Sequence, residues 1–168
     1  MRISALLVFL ALFISAPALP STLESNKRIA RQFFEEVLAT GRFDKYAESH
    51  APDFVAHGEP DATLEEDIAA AREERQAMPD MQVAVLRIIA EHDLVAVHWT
   101  ANGTNTHAGM GLPATGRKIK TSGMTFFRFK NGKITEEWSV WDMYSVLRQA
   151  GVIAAPQPDP NPKTERAR

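Results

Sequence analysis

The sequence predicts an α+β domain with helices packed on one face of a curved antiparallel sheet, and three observations predict it. Apolar residues in the N-terminal half recur at helical spacing, and from Met81 onward the period changes to that of strands. Asn131-Gly132 then separates two β-rich runs, the strongest short hairpin signal there is. Helices first and antiparallel strands second bury both apolar faces only if the helices lie together on one side of the sheet.

Each element has its own signal. Ile29, Phe33, Phe34, Val37 and Leu38 mark an amphipathic helix from about Leu23 to Ala39, closed by Thr40-Gly41. Phe43 to Ser49 reads as a shorter second helix and Phe54 to His57 as a brief strand. Thr63 and Glu66 form a capping box, from which a third helix runs to Met78 and stops at Pro79. Met81 to Glu91 and Leu94 to His107 are β-rich runs joined at His92-Asp93; Arg117 to Lys130 and Lys133 to Asp142 flank the Asn-Gly turn. Met143 to Gln149 makes a last helical turn or two before Gly151.

Residues 1–18 read as a secretory leader. Arg2 is its positive start, Leu6 to Ile14 its apolar run, and Ala16-Pro17-Ala18 its cleavage site. The expected location is therefore secreted or periplasmic, with no stable membrane insertion after cleavage. Of the 168 residues, the single expected domain spans 21–153, and the alternating prolines of 154–168 suit an extended, disordered tail. The net charge of −2 becomes −3 without Arg2 and shows no basic surface for nucleic acid. The absence of cysteine excludes disulfides, thiolate nucleophiles and zinc–thiolate sites.

Strand parity selects the candidate site. In the last strand the even positions Ile134, Glu136, Trp138 and Val140 form the more apolar face, which ends on Asp142. Val95, Val97 and Trp99 share a face that continues to Asn105 and His107, and Ile119, Thr125, Phe127 and Phe129 share one opposite Lys118, Lys120, Arg128 and Lys130. The expected cavity thus carries Asp142, Asn105 and His107 among aromatic residues. A carboxylate there loses hydration and becomes a stronger base, suited to taking a proton next to a carbonyl, while His107 and Asn105 stabilise the oxyanion. Asp142 also precedes a helix, so its carboxylate can equally cap that helix through the Ser145 amide. Trp99, Trp138 and Phe127 fit either a pocket wall or a core.

Other motifs fail on context. Gly111 to Lys118 echoes a phosphate loop, but a β-rich run follows it in place of a helix. No Gly-x-Ser-x-Gly elbow, His-Glu-x-x-His or metal-spaced histidine pair occurs, so neither a metal nor a cofactor is expected.

The order of elements, with Gly103-Thr104, Gly111-Leu112-Pro113-Ala114-Thr115-Gly116-Arg117, Asn131 to Asp142 and Leu147-Arg148-Gln149-Ala150-Gly151, resembles the SnoaL-like polyketide cyclases of the nuclear transport factor 2-like superfamily. The resemblance implies a cone-shaped curved sheet with three helices on its concave side, and a cofactor-free aldol ring closure. It also implies that the family's acid/base aspartate falls on Asp142 and its early histidine on His57, with Asn105 standing where many relatives have histidine. The ligand so implied is an apolar, polyketide-like small molecule, and by family habit the open sheet face implies a homodimer. The alternative is a non-enzymatic carrier or sensor on the same fold. Epoxide hydrolysis, a third reading, lacks the second aspartate it needs.

Overall fold

Helix α1 (Thr22–Gln32) opens the computed structural model, which describes residues 22–154. The expected leader and residues 155–168 of the expected tail lie outside the described residues. The helix widens into a π-helical stretch, Phe33–Leu38, whose Phe33, Phe34 and Val37 are buried with Ala30. A 3-10 turn at Phe43–Lys45 leads into α2 (Tyr46–Ser49). Helix α3 (Leu64–Ala77) starts on the expected capping box: the Glu66 amide donates to Thr63 Oγ1, and the Thr63 amide donates to Glu66 Oε2.

The strands are β1 (His50–His57), β2 (Ala62–Thr63), β3 (Gln82–Glu91), β4 (Leu94–Thr104), β5 (Lys118–Lys130) and β6 (Lys133–Trp141), and α4 (Met143–Ala150) ends the fold. They form one sheet in the order β2-β1-β6-β5-β4-β3. Two expectations need correction. The brief first strand starts earlier, at His50, and runs parallel to β6, so the sheet is mixed at that seam. Strand β4 stops at Thr104 because Asn105 leaves the ladder to bind the following loop.

Asn131 and Gly132 both adopt positive φ, 52° and 75°, as the tight β5–β6 hairpin requires. Inner-face residues of β4 and β5 follow the expected parity, and Val95, Val97, Phe127 and Ile134 are each at most 1% exposed. Burying side chains of this size stabilises by about 2 kcal/mol each. A second apolar cluster, Met78, Met81, Leu112, Ile119, Val146 and Ala150, lies under α4.

One irregularity sets everything that follows. The β5–β6 register passes from Phe129 opposite Ile134 to Arg128 opposite Glu136, leaving Thr135 as an extra residue in β6. Parity therefore inverts after Ile134. Glu137, Ser139 and Trp141 oppose the inner-face residues Phe127, Thr125 and Gly123, while Glu136, Trp138 and Val140 turn outward. Val140 is 70% exposed, and the even-numbered face of β6 is not the concave one.

Gly123 belongs to this arrangement by close approach. A Cβ there would meet the Trp99 indole and stand 2.6 Å from the Val140 carbonyl oxygen, which as backbone cannot step aside. Gly123→Ala is expected to destabilise by about 1–3 kcal/mol in denaturant unfolding, as overpacking does.

Candidate functional site

Helix α3 presents Asp67, Ala71 and Glu74 at i, i+4 and i+7, hence on one face, and that face meets the sheet. The inverted parity of β6 brings Glu137 toward the same place. Tyr46 of α2 completes the group by donating its hydroxyl to Asp67 Oδ2 at 3.0 Å. Three half-buried carboxylates thus converge between α3 and the sheet.

Their electrostatics follow from enclosure and mutual repulsion. Burial raises Glu137 to about 8, with the Asp67 charge adding to it and the Ser139 hydrogen bond opposing it. Burial and Asp67 raise Glu74 to about 7. Asp67 is also raised by burial, but the Tyr46 hydroxyl supports its anion. We therefore assign the standing negative charge to Asp67; near neutrality Glu137 retains its proton and Glu74 is divided between its two forms. The Tyr46 hydroxyl is raised well above its ordinary value by burial and by the neighbouring carboxylates. His50, stacked on Tyr46, is lowered to about 4, chiefly by burial, and stays neutral.

Beside this cluster lies a small, largely apolar cavity of about 20 Å3. Trp99 and Trp141 wall it with Met78, Leu112, Ile119 and Val146, and Glu74 is the ionisable group on its lining. Among the described residues no side chain donates a hydrogen bond to Glu74. Thr121 Oγ1, on the same lining, also has no partner. An apolar chamber with a carboxyl poised near neutrality and a free hydroxyl can move a proton and hold an oxyanion.

Of the residues singled out from sequence, Trp99 and Asn105 line the cavity. Asp142 is exposed and caps α4, accepting from the Ser145 amide at 2.9 Å. His57 lies on the outer face, where its Nε2 is 2.9 Å from Glu136 Oε2 and its ring stacks on Trp138 at 4.5 Å. The outward turn of β6 after Thr135 carries Trp138 and Glu136 there. His107 sits on an exposed loop, with Nδ1 3.0 Å from Thr106 Oγ1. Asn105 borders the cavity but is 1% exposed, and its amide is committed to that loop: Oδ1 accepts from the Thr115 amide and hydroxyl, and Nδ2 donates to the His107 carbonyl. Phe127 is wholly buried core. Asp142, His57 and His107 therefore do not converge.

The parity argument missed Glu74, Asp67 and Glu137. The helical spacing of Asp67 and Glu74 on the stripe through Ala71 was a readable signal; the bulge was not.

The raised carboxyls bind protons more tightly in the folded chain than in the unfolded one, so their contribution to stability declines as pH rises from about 5 to 8. His50 acts oppositely, since its neutral folded form opposes folding only below its unfolded pKa of 6.5. Between pH 6.5 and 8 the carboxyls alone decide the sign. Chemical denaturation should show stability falling there with a slope of up to about 1.4 kcal/mol per pH unit for each retained proton. Glu137→Gln should flatten that slope and exceed the native protein in stability at the alkaline end.

Comparison with known proteins now bears on the fold. The chain matches the SnoaL-like polyketide cyclase family over residues 28–150. IdmH from Streptomyces antibioticus is 27% identical, with a TM-score of 0.66 over 75% of this chain and 98% of its own. TsrD from Streptomyces laurentii superposes with a TM-score of 0.73 at 19% identity, covering 81% of this chain and 100% of its own. A SnoaL-like polyketide cyclase from Agrobacterium tumefaciens gives 0.64 at 21% identity, covering 74% and 96%. A search of curated proteins found no match. With a family match across most of its length and the nuclear transport factor 2-like cone of its structural neighbours, the chain belongs to the SnoaL-like polyketide cyclases.

Proposed function

We propose that this chain is a cofactor-independent acid/base enzyme that cyclises or isomerises an apolar, carbonyl-bearing small molecule, with Glu74 as the proton-transfer group. Supporting this reading is one observation above the others: Glu74 is the ionisable group on an aromatic-walled cavity and is held near 7 by burial and by Asp67. A base whose pKa lies near the working pH is both sufficiently ionised and sufficiently strong.

In the proposed step the ionised Glu74 takes a proton from the carbon next to the substrate carbonyl. The C–H electron pair moves into an enolate, whose oxygen accepts a hydrogen bond from Thr121. Ring closure follows when the enolate carbon attacks a second carbonyl, and the new alkoxide takes the proton back from Glu74. Simple reprotonation at carbon would give an isomer. Trp99 and Trp141 hold the apolar skeleton and keep water from quenching the enolate.

Turnover of a panel of apolar keto-esters, followed by chromatography, tests the assignment. Glu74→Gln should lower kcat by about 100-fold or more, the usual scale for a lost general base. Asp142→Asn should leave it within about tenfold, because an amide oxygen still caps α4. Native turnover in Glu74→Gln would overturn the role of Glu74, and a selective loss in Asp142→Asn would return the role to Asp142. Ligand binding by the native protein without any turnover would instead favour the carrier reading.

Export belongs to the proposal on the strength of residues 1–18. N-terminal sequencing of the chain recovered from outside the cytoplasm should begin at Leu19, and a retained Met1 would sink it.

A further inference from the structure

Among the described residues, the acid/base step leaves unused one half-buried member of the carboxylate cluster, Glu137. Glu137 is absent from the cavity lining, yet a chain of side-chain hydrogen bonds joins it to a residue that is part of that lining. Trp99 Nε1 donates to Thr125 Oγ1 at 3.0 Å, Thr125 Oγ1 lies 2.6 Å from Ser139 Oγ, and Ser139 donates to Glu137 Oε1. Thr125, 1% exposed, faces Ser139 directly across the β5–β6 ladder.

Proton counting gives this chain a direction. An indole N–H can only donate, and each hydroxyl has one hydrogen. With Ser139 donating to Glu137, Thr125 must donate to Ser139, and Thr125 is then free to accept from Trp99. Every hydrogen therefore points from the indole toward the carboxylate. A negative charge at the far end polarises each link and strengthens the bond at the indole, and its neutralisation weakens all of them.

We propose that Glu137 is a positioning residue of the cavity, and that through Ser139 and Thr125 its ionisation sets how firmly the Trp99 indole is held against the cavity. The proposal rests on that cavity being the working site. Its consequence is a wall that tightens when Glu137 loses its proton, with no contact between Glu137 and the ligand. Gly123 supports the same geometry, since only a residue without Cβ leaves the indole room to reach Thr125.

The groups facing Glu137 are all acidic or neutral. Helix α3 supplies Asp67 and Glu74, and α2 supplies Tyr46, which donates to Asp67. Strand β1 places uncharged Ala56 opposite Glu137, and its neutral His50 stacks on Tyr46. Burial and the charge on Asp67 push Glu137 up to about 8, so the change in charge falls within an accessible range.

The test is an 15N-indole NMR titration of the full chain from about pH 5 to about pH 9.5, a range that brackets this ionisation. Three tryptophans give three indole signals, and Trp99→Phe identifies the one that matters. The Trp99 signal should move along a sigmoid centred near pH 8. Glu137→Gln keeps an acceptor for Ser139 but cannot ionise, and should flatten the curve. Ser139→Ala should flatten it by cutting the chain, whereas Thr125→Ser, which keeps the hydroxyl, should preserve it. Unchanged Trp138 and Trp141 signals in each variant show that the fold persists. A Trp99 signal that stays flat in the native protein, or titrates normally in Glu137→Gln, overturns the proposal. Glu74→Gln separates the two readings: it should retain the Trp99 curve whatever it does to turnover.

Discussion

The single extra residue at Thr135 is the constraint on which the interior depends. A two-residue hairpin at Asn131-Gly132 with regular pairing would set Glu136 opposite Phe127, on the inner face. The bulge sets Glu137 there instead and sends Glu136 outward, where it meets His57 and Arg128. A shift of one residue thus decides which of two adjacent glutamates joins Asp67 and Glu74. It also decides the tryptophans: Trp141 reaches the cavity mouth, and Trp138 lies outside against the His57 ring.

Three half-buried carboxyls grouped between α3 and the sheet are an arrangement no stability argument would select. Like charges this close cannot all ionise, so protons are retained and shared. The fold contains the cost by giving two members a donor: Tyr46 supports the charge on Asp67, and Ser139 gives Glu137 a single hydrogen bond. Glu74 receives no comparable support and looks onto the cavity. Perturbed carboxyls without neutralising cations are a mark of sites shaped for proton transfer. The same crowding argues against anionic ligands, which would meet charge and no counter-charge.

Much of the fold was legible because its signals are local. The capping box, Pro79 after α3, the Asn-Gly hairpin and the switch from helical to strand periodicity all act within a few residues. The inner faces of β4 and β5 were legible too, since both strands run without interruption along their shared ladder. The face of β6 was not, for a physical reason. After Ile134 hydrophobicity points to the wrong face: the even positions carry Val140 where the odd ones carry Thr135 and Ser139, yet the even ones turn outward. The bulge that chooses is a long-range outcome, in which β6 pairs with β5 on one side and parallel with β1 on the other. Glu137 was hidden behind that one ambiguity, although Asp67 and Glu74 stood at helical spacing on a half-buried stripe through Ala71.

Asp142 holds a position that reads both as a helix cap and as a functional carboxylate, and the cap is formed. It ends the strand that lines the cavity and begins the helix that closes it, so any account of the site must pass through it. Its carboxylate holds the first turn of α4. At the other end Gln149 donates to the Lys120 carbonyl and accepts from the Lys120 amide, as a neighbouring strand would. Pinned at both ends, α4 presents Val146 to the cavity and covers Ile119 and Leu112. Asp142 therefore fixes the helix that supplies one wall of the cavity.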